Sequence, residues 1–249
     1  MNAKAPPKIT SGSRANNRGT GPLRVPTRDD LVSAATLHRG EPNKADLLTL
    51  DLGEGPLVVK DFAAKAWWVR LLGRLQVWRE HRAYRRLGGV AGVPRLAGRV
   101  DAHALAIEKI EGRQLGKAPD RREDGAAKLA RLRAVLERIH GVGLVHWDLR
   151  ARENVLVTPE GELFVIDFAS AVWLRPGSLA HRALFPWFKR VDESALLKWK
   201  VILEAGPLTD EERSYLERHR VWRSLWVFNP RGRGRRQGAA GGSSSDDAK

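Results

Sequence analysis

The chain opens its patterned region with "TRDDLVSAATLH", which predicts a short helix: Thr27 is placed as an N-cap and acids fill the first turn. In "DLLTLDLGEGPLVVKDF" two apolar runs flank Gly-Glu-Gly-Pro, the pattern of a β-hairpin or a pair of strands. The stretch "KAWWVRLLGRLQVWREHRAYRRL" switches to a helical period. Trp68, Leu71, Leu72, Leu75 and Trp78 recur at three- and four-residue steps, with Arg70, Arg74 and Arg79 between them. Short strands with Gly and Pro turns return in "GVAGVPRLAGRVDAHALAIEKIEG". A second helix, "AAKLARLRAVLERIHGVG", carries Leu129, Leu132, Leu136 and Ile139 on one stripe and ends at Gly141 or Gly143. "HWDLRARENVLV" and "ELFVIDFASAVW" follow, each a polar loop next to a β-branched or aromatic run, with Asp167 closing the second strand. The remainder to about Asn229 reads as helix rich in Trp and Arg, and no internal repeat is visible. Strands and helices are segregated along the chain, so the expected class is α+β and not an alternating parallel-sheet fold.

Composition narrows the setting. Hydrophobic residues make up 42% of 249, enough for a core in one domain of two lobes or in two small domains. Cysteine is absent, which excludes disulfides and Cys-ligated zinc. No apolar run approaches a membrane span, and "MNAKAPPKITSGSRANNRGTG" lacks the apolar core of a signal peptide. A cytoplasmic location is expected, with a peripheral position at the inner membrane face as its variant. The formal net charge is +15. Residues 1–28 hold six Lys/Arg and no acid, and residues 230–249 hold five Lys/Arg against two Asp. Both segments are expected to be disordered basic tails. They either solubilise the chain or make weak contact with RNA or an anionic membrane.

Five polar residues each interrupt or terminate an apolar element. Lys60 ends "PLVVK", and a Lys inside a sheet needs an anionic partner. Glu80 lies twenty positions later on the next helix. Asp148 sits on the loop after the second helix, Asn154 precedes "VLV", and Asp167 follows Asp148 by nineteen positions. Singly, each Asp is more simply a turn or cap residue. Together they suit phosphoryl transfer from ATP. Lys60 held by Glu80 supplies a fixed cation for the triphosphate, Asn154 and Asp167 supply hard oxygens for Mg²⁺, and Asp148 orients and deprotonates an acceptor hydroxyl.

In this order and spacing the set resembles the protein-kinase signature: a strand Lys, a helix Glu, a His-x-Asp loop with a downstream Asn, and an Asp-Phe metal motif. More narrowly, "HWDLRARENVLV" and "VIDFASA" in a short chain resemble the atypical bacterial kinases, the RIO-like and lipopolysaccharide-core (Kdo-type) kinases. The resemblance covers roughly residues 45–175. It implies a two-lobed protein-kinase-like fold with a minimal helical C-lobe: an N-lobe over residues 29–110, a hinge near 108–113 and a C-lobe over 111–229. The implied cofactors are ATP and Mg²⁺. The implied activity is that of an atypical Ser/Thr protein kinase, with a lipopolysaccharide-core sugar or lipid kinase as alternative and a pseudokinase or RNA-associated module as a second. The acceptor is then a protein or glycolipid hydroxyl.

The resemblance also assigns lesser roles. Gly53 and Gly55 bring backbone toward the phosphates. Glu108 and Ile110 offer hinge backbone groups to adenine, or are simply a strand end. Arg150 reaches the γ-phosphate or forms a surface ion pair. His146 orients the loop. Several positions depart from the family pattern. "LDLGEGPLV" lacks the full glycine motif, Trp147 replaces the usual Arg, Ala169 replaces Gly, and no Ala-Pro-Glu segment is found. One extra residue separates Asp148 from Asn154, which makes Glu153 the substitute ligand if the loop is not simply longer. The Trp/Arg helix over 67–79 either packs on the small lobe with its Arg solvated, the expected outcome, or lies on a membrane surface. The later Trp222 and Trp226 are expected to pack.

Overall fold

The computed structural model describes residues 21–116 and 124–215. The expectations for residues 1–20, for Trp222 and Trp226 and for the Arg/Gly tail lie outside them. Residues through Pro207 form one compact unit that does not divide near 110; a second begins at Leu208, inside the span expected to be one C-lobe. Of this second unit residues 208–215 are described, with a helical turn over 210–215 opened by Thr209, whose hydroxyl accepts from the Glu212 N–H at 3.2 Å.

The class is α+β, as the segregated pattern implies. An antiparallel five-stranded sheet has the order β1-β2-β3-β5-β4, from β1 (Ala35–His38), β2 (Asp46–Asp51), β3 (Pro56–Asp61), β4 (Leu96–Arg99) and β5 (Ala104–Glu108). Helix α1 (Trp67–Arg86) follows β3 and packs on one face. Alternation along β5 sends Leu105 and Ile107 to that face, while Ala104 and Ala106 join Val59 in a smaller cluster on the other. Lys60 pairs with Leu105, so the period of two aims it at α1.

After β5 come β6 (Arg113–Gln114), α2 (Gly125–Gly141), β7 (Leu144–Val145), β8 (Val155–Val157), β9 (Leu163–Val165), β10 (Val172–Trp173) and α3 (Leu179–Ile202). Strands β6, β8 and β9 form a three-stranded sheet, and β7 pairs with β10. The stripe expected on α2 is buried at Leu132, Leu136 and Ile139, and Leu129 packs at its edge. One continuous core joins these residues to Val69, Val77 and Tyr84 of α1 and Trp199 of α3. Each fully buried Leu or Ile contributes about 1.5–3 kcal/mol.

Three expectations change. "TRDDLVSAATLH" is not a helix throughout. Thr27 and Asp30 cap one another, but the turn is 3₁₀ over Asp30–Ser33 and Ala35–His38 pairs as strand β1 with β2. The β-branched Thr36 and the open edge of β2 favour the strand. The segment expected as tail up to residue 28 is partly docked. Arg28 binds both Asp61 and Asp101, Val25 covers Gly98, and the Arg24 N–H donates to Glu54.

The third concerns α1. The stripe Trp68, Leu71, Leu72, Leu75 and Trp78 faces away from the sheet and is exposed. The buried side is Val69, Gly73, Val77, Glu80, Ala83 and Tyr84. α1 is apolar on both sides, so periodicity does not choose between them; close fit does. A Cβ on Gly73 would lie 2.4 Å from the Phe62 ring, so the glycine lets the helix settle directly on that ring. No helix among the described residues is long and apolar enough to cross a membrane.

Candidate active site

Lys60 leaves β3 near its C-terminal end and meets Glu80 of α1, Nζ to Oε1 at 2.8 Å and to Oε2 at 3.0 Å. The same ammonium reaches Asp167 Oδ1 at 2.9 Å. Three residues from a strand, a helix and a loop, separated by up to 107 positions, thus share one ionic cluster. Glu80 is the buried end, with its side chain 3% exposed, and Asp167 the open end at 43%. Burial opposes the charge on Lys60, but Asp167 and Glu80 outweigh it and hold its pKa above the ordinary value. Burial, reinforced by the Asp167 charge, outweighs Lys60 at Glu80 and pushes its carboxyl up to about 7. At Asp167 the balance is reversed: burial would raise its pKa, but Lys60, then His146 and the Ala169 N–H, hold it below the usual carboxylate range. Two carboxylates compete for one ammonium, and the solvent-facing one keeps its charge.

Asp167 caps the 3₁₀ turn Phe168–Ser170 from a left-handed conformation, φ 66°, which is costly for a non-glycine residue. What holds it is Phe168, fully buried edge-on between Tyr84 of α1 at 5.2 Å and His146 at 4.8 Å. This aromatic stack connects α1 to the loop that carries Asp148.

That loop runs from β7 to β8. Its turn at Trp147 also has a left-handed backbone, φ 70°. Asp192 of α3, completely buried, holds it by accepting from the His146 N–H at 2.8 Å and the Trp147 N–H at 2.9 Å. His140 Nε2 lies 3.0 Å from the same carboxylate. The His146 ring accepts from the Asp148 N–H at Nδ1, 3.2 Å, and donates from Nε2 to the Ile166 carbonyl at 3.0 Å. His146 therefore orients the loop, as expected. The Trp199 indole and Lys198 ammonium fasten the carbonyls of Leu149 and Arg150 from α3.

The extra residue between Asp148 and Asn154 is taken up by a 3₁₀ turn, Arg152–Asn154. Asn154 comes out buried, donating Nδ2 to the Asp148 carbonyl at 2.9 Å and to its carboxylate at 3.3 Å. Glu153 is exposed, so the register favours the longer loop with Asn154 inward. Of the lesser sites, Gly53 and Gly55 have φ of 91° and 116° in the loop between β2 and β3, with open space where a Cβ would stand. Their glycine identity answers to backbone conformation. The Glu108 side chain is occupied by Arg95, and its N–H donates to the Arg95 carbonyl. Ile110 stands just past the end of β5, half-buried. Arg150 is turned to α3, Nη1 3.3 Å from Ser194 Oγ.

Asp192 and Tyr84 are the residues that pattern reading missed, and the Asp-Phe motif left Phe168 without a packing role of its own. Asp192 had a signal: it falls on the same three- and four-residue spacing as the buried Phe185, Ala195, Leu196, Trp199 and Ile202, and a carboxylate on an apolar stripe needs internal donors.

The oxygen donors suit a divalent cation. Asp167 is half-open, and Asn154 spends its Nδ2 on Asp148, which leaves its carbonyl oxygen as the other end of the amide. Among the described residues no three His, Asp or Glu side chains form a metal-binding group. Two protein oxygens match a small hard cation that keeps water and phosphate as its other ligands. No protein-family model matches the sequence, and no curated protein matches it.

Proposed function

We propose that this chain has a two-lobed, protein-kinase-like fold and transfers the γ-phosphate of ATP to a hydroxyl with the help of Mg²⁺. The observation that carries the reading is the triad of Lys60, Glu80 and Asp167 beside the joined pair Asp148 and Asn154. The five-stranded sheet with α1 corresponds to the smaller lobe, and α2, α3 and the short sheets to the larger.

Phosphoryl transfer asks a protein mainly for positioning and for fixed charge. Lys60 is a permanent cation held by Glu80 from behind, suited to α/β-phosphate oxygens. Asp167 and Asn154 are the residues that would hold Mg²⁺, which when bound neutralises charge on the phosphates. Asp148, fixed through its N–H by His146 and through its carboxylate by Asn154, orients the acceptor hydroxyl and takes its proton. Ile110, with no hydrogen bond among the described residues, is the better candidate than Glu108 for reading adenine through its backbone N–H, because the Glu108 N–H is already committed to Arg95. The protein is read as an atypical Ser/Thr protein kinase. A sugar or lipid hydroxyl at a membrane is the second reading, favoured by the exposed Trp/Leu side of α1.

The test is transfer from γ-labelled ATP with Mg²⁺, offering the protein itself, a generic protein acceptor and a membrane glycolipid extract. Label that appears with wild type and is lost in both Asp148→Asn and Asp167→Ala supports the reading and identifies the acceptor class. Absence of nucleotide binding overturns it.

A further inference from the structure

Helix α1 shows its more hydrophobic side to solvent. Trp67, Trp68, Leu71, Leu72, Leu75 and Trp78 are between 44 and 76% exposed and lie on adjacent turns over the first twelve residues, about 18 Å of helix. A monomer seldom displays so continuous an apolar strip without a partner for it. Its surroundings are cationic. Arg70 and Arg74 line one edge, and Arg82, Arg85 and Arg86 continue the exposed side toward the C-terminus. The only acid in α1 is Glu80, buried on the opposite side against Lys60.

We infer that this side of α1 docks on the surface of an anionic lipid bilayer, with the Trp and Leu side chains entering the headgroup–acyl boundary and the Arg side chains meeting lipid phosphates. Trp and Arg are the residue types that rest at that boundary, one through an amphipathic ring and the other through a long apolar stem under a charged head. The arrangement suits a helix lying in the plane of the interface, because its opposite side is already occupied by the sheet. The guanidinium of Arg82 lies 4.5 Å over the Trp78 ring, so a charge and a ring would enter the interface together. Arg86 sits 3.9 Å over Trp173, itself exposed, which extends the same mixed surface beyond the helix. Burial and the neighbouring charges of Arg82 and Arg85 hold Arg86 below its ordinary pKa, and an anionic surface relieves that repulsion. A second copy is the poorer occupant, since a two-fold contact would bring two Arg-lined strips together. The surface stands independently of the chemistry assigned to Lys60 and Asp148.

The experiment is vesicle flotation of the full chain, with pure phosphatidylcholine compared with an equimolar mixture of phosphatidylcholine and phosphatidylglycerol. The key variant is Trp67→Ser/Leu71→Ser/Leu75→Ser, changed only at positions at least half exposed, with circular dichroism to check that the fold is kept. Arg70→Gln/Arg74→Gln tests the charge. Wild type is expected on the anionic vesicles, with binding lowered roughly tenfold or more by the apolar variant and less by the charge variant. Equal binding of wild type and the apolar variant would assign all affinity to the basic termini and overturn the proposal. So would no binding to either vesicle, or a concentration-dependent dimer of wild type that the apolar variant abolishes.

Discussion

Asp192→Asn is the sharpest perturbation of this structure, because one buried carboxylate accepts from two backbone N–H groups and faces one imidazole. Oδ2 serves His146 and His140, and Oδ1 serves Trp147. Asn retains a single acceptor oxygen. Placed at the Oδ2 position it keeps two contacts as weaker neutral bonds, and its amide nitrogen then meets the Trp147 N–H head on. Charge-assisted bonds contribute about 1.5–3 kcal/mol, and a buried N–H left without an acceptor costs about 1–3 kcal/mol, so the expected loss is about 3 kcal/mol. The Trp147 backbone adds to the effect: its left-handed φ of 70° is held against strain by these same bonds. In urea, with a slope of about 2 kcal/mol/M for a domain of this size, the midpoint should fall by about 1.5 M. Hydrogen exchange should show the amides of His146 and Trp147 losing protection well before those of β5. Glu41→Gln, which removes an exposed pair with Lys44, is the control and should move the midpoint by less than about 0.3 M. A loss below about 0.5 kcal/mol in Asp192→Asn, with both amides still protected, would refute the role given to this carboxylate.

Gly73→Ala should destabilise the protein although Ala is the better helix former by about 1 kcal/mol, because its Cβ would stand 2.4 Å from Phe62; a raised melting temperature would contradict the close approach. Phe168→Ala should cost about 3–5 kcal/mol by opening a cavity between Tyr84 and His146, read as a lower denaturation midpoint. Lys60→Ala should cost about 3–5 kcal/mol at alkaline pH by leaving Glu80 buried without its cation, and less in mild acid, where Glu80 takes up a proton. The Glu80 carboxyl is raised in the folded chain from an ordinary 4.5 to about 7. Between those values the folded state binds the proton more tightly than the unfolded one. This contribution to stability is therefore full below about 4.5 and is lost as pH rises through about 7. The stability of wild type relative to Glu80→Gln should decline from pH 5 to pH 8 in denaturation series; a gap that widens would reverse the sign.

The sequence by itself determined the α+β class, most element positions and which polar residues stand out from their apolar elements. It could do so because these are local properties. A period of two along "PLVVK" aims Lys60 at one face of the sheet, a period of 3.6 places Glu80 on a helix, and a polar residue that ends an apolar strand announces itself. Only the tertiary structure decided three further matters. It chose the buried side of α1, since a helix with apolar residues on two sides gives periodicity nothing to choose by, and Gly73, having no side chain, lets the helix settle on Phe62 while the Trp and Leu side chains on the other side do not pack on the sheet. It absorbed the extra loop residue in a 3₁₀ turn and so turned Asn154 inward and Glu153 outward. And it gave Asp192 its use: the donors that satisfy this carboxylate come from residues about fifty positions away, and a buried charge is explained only by partners that folding brings to it.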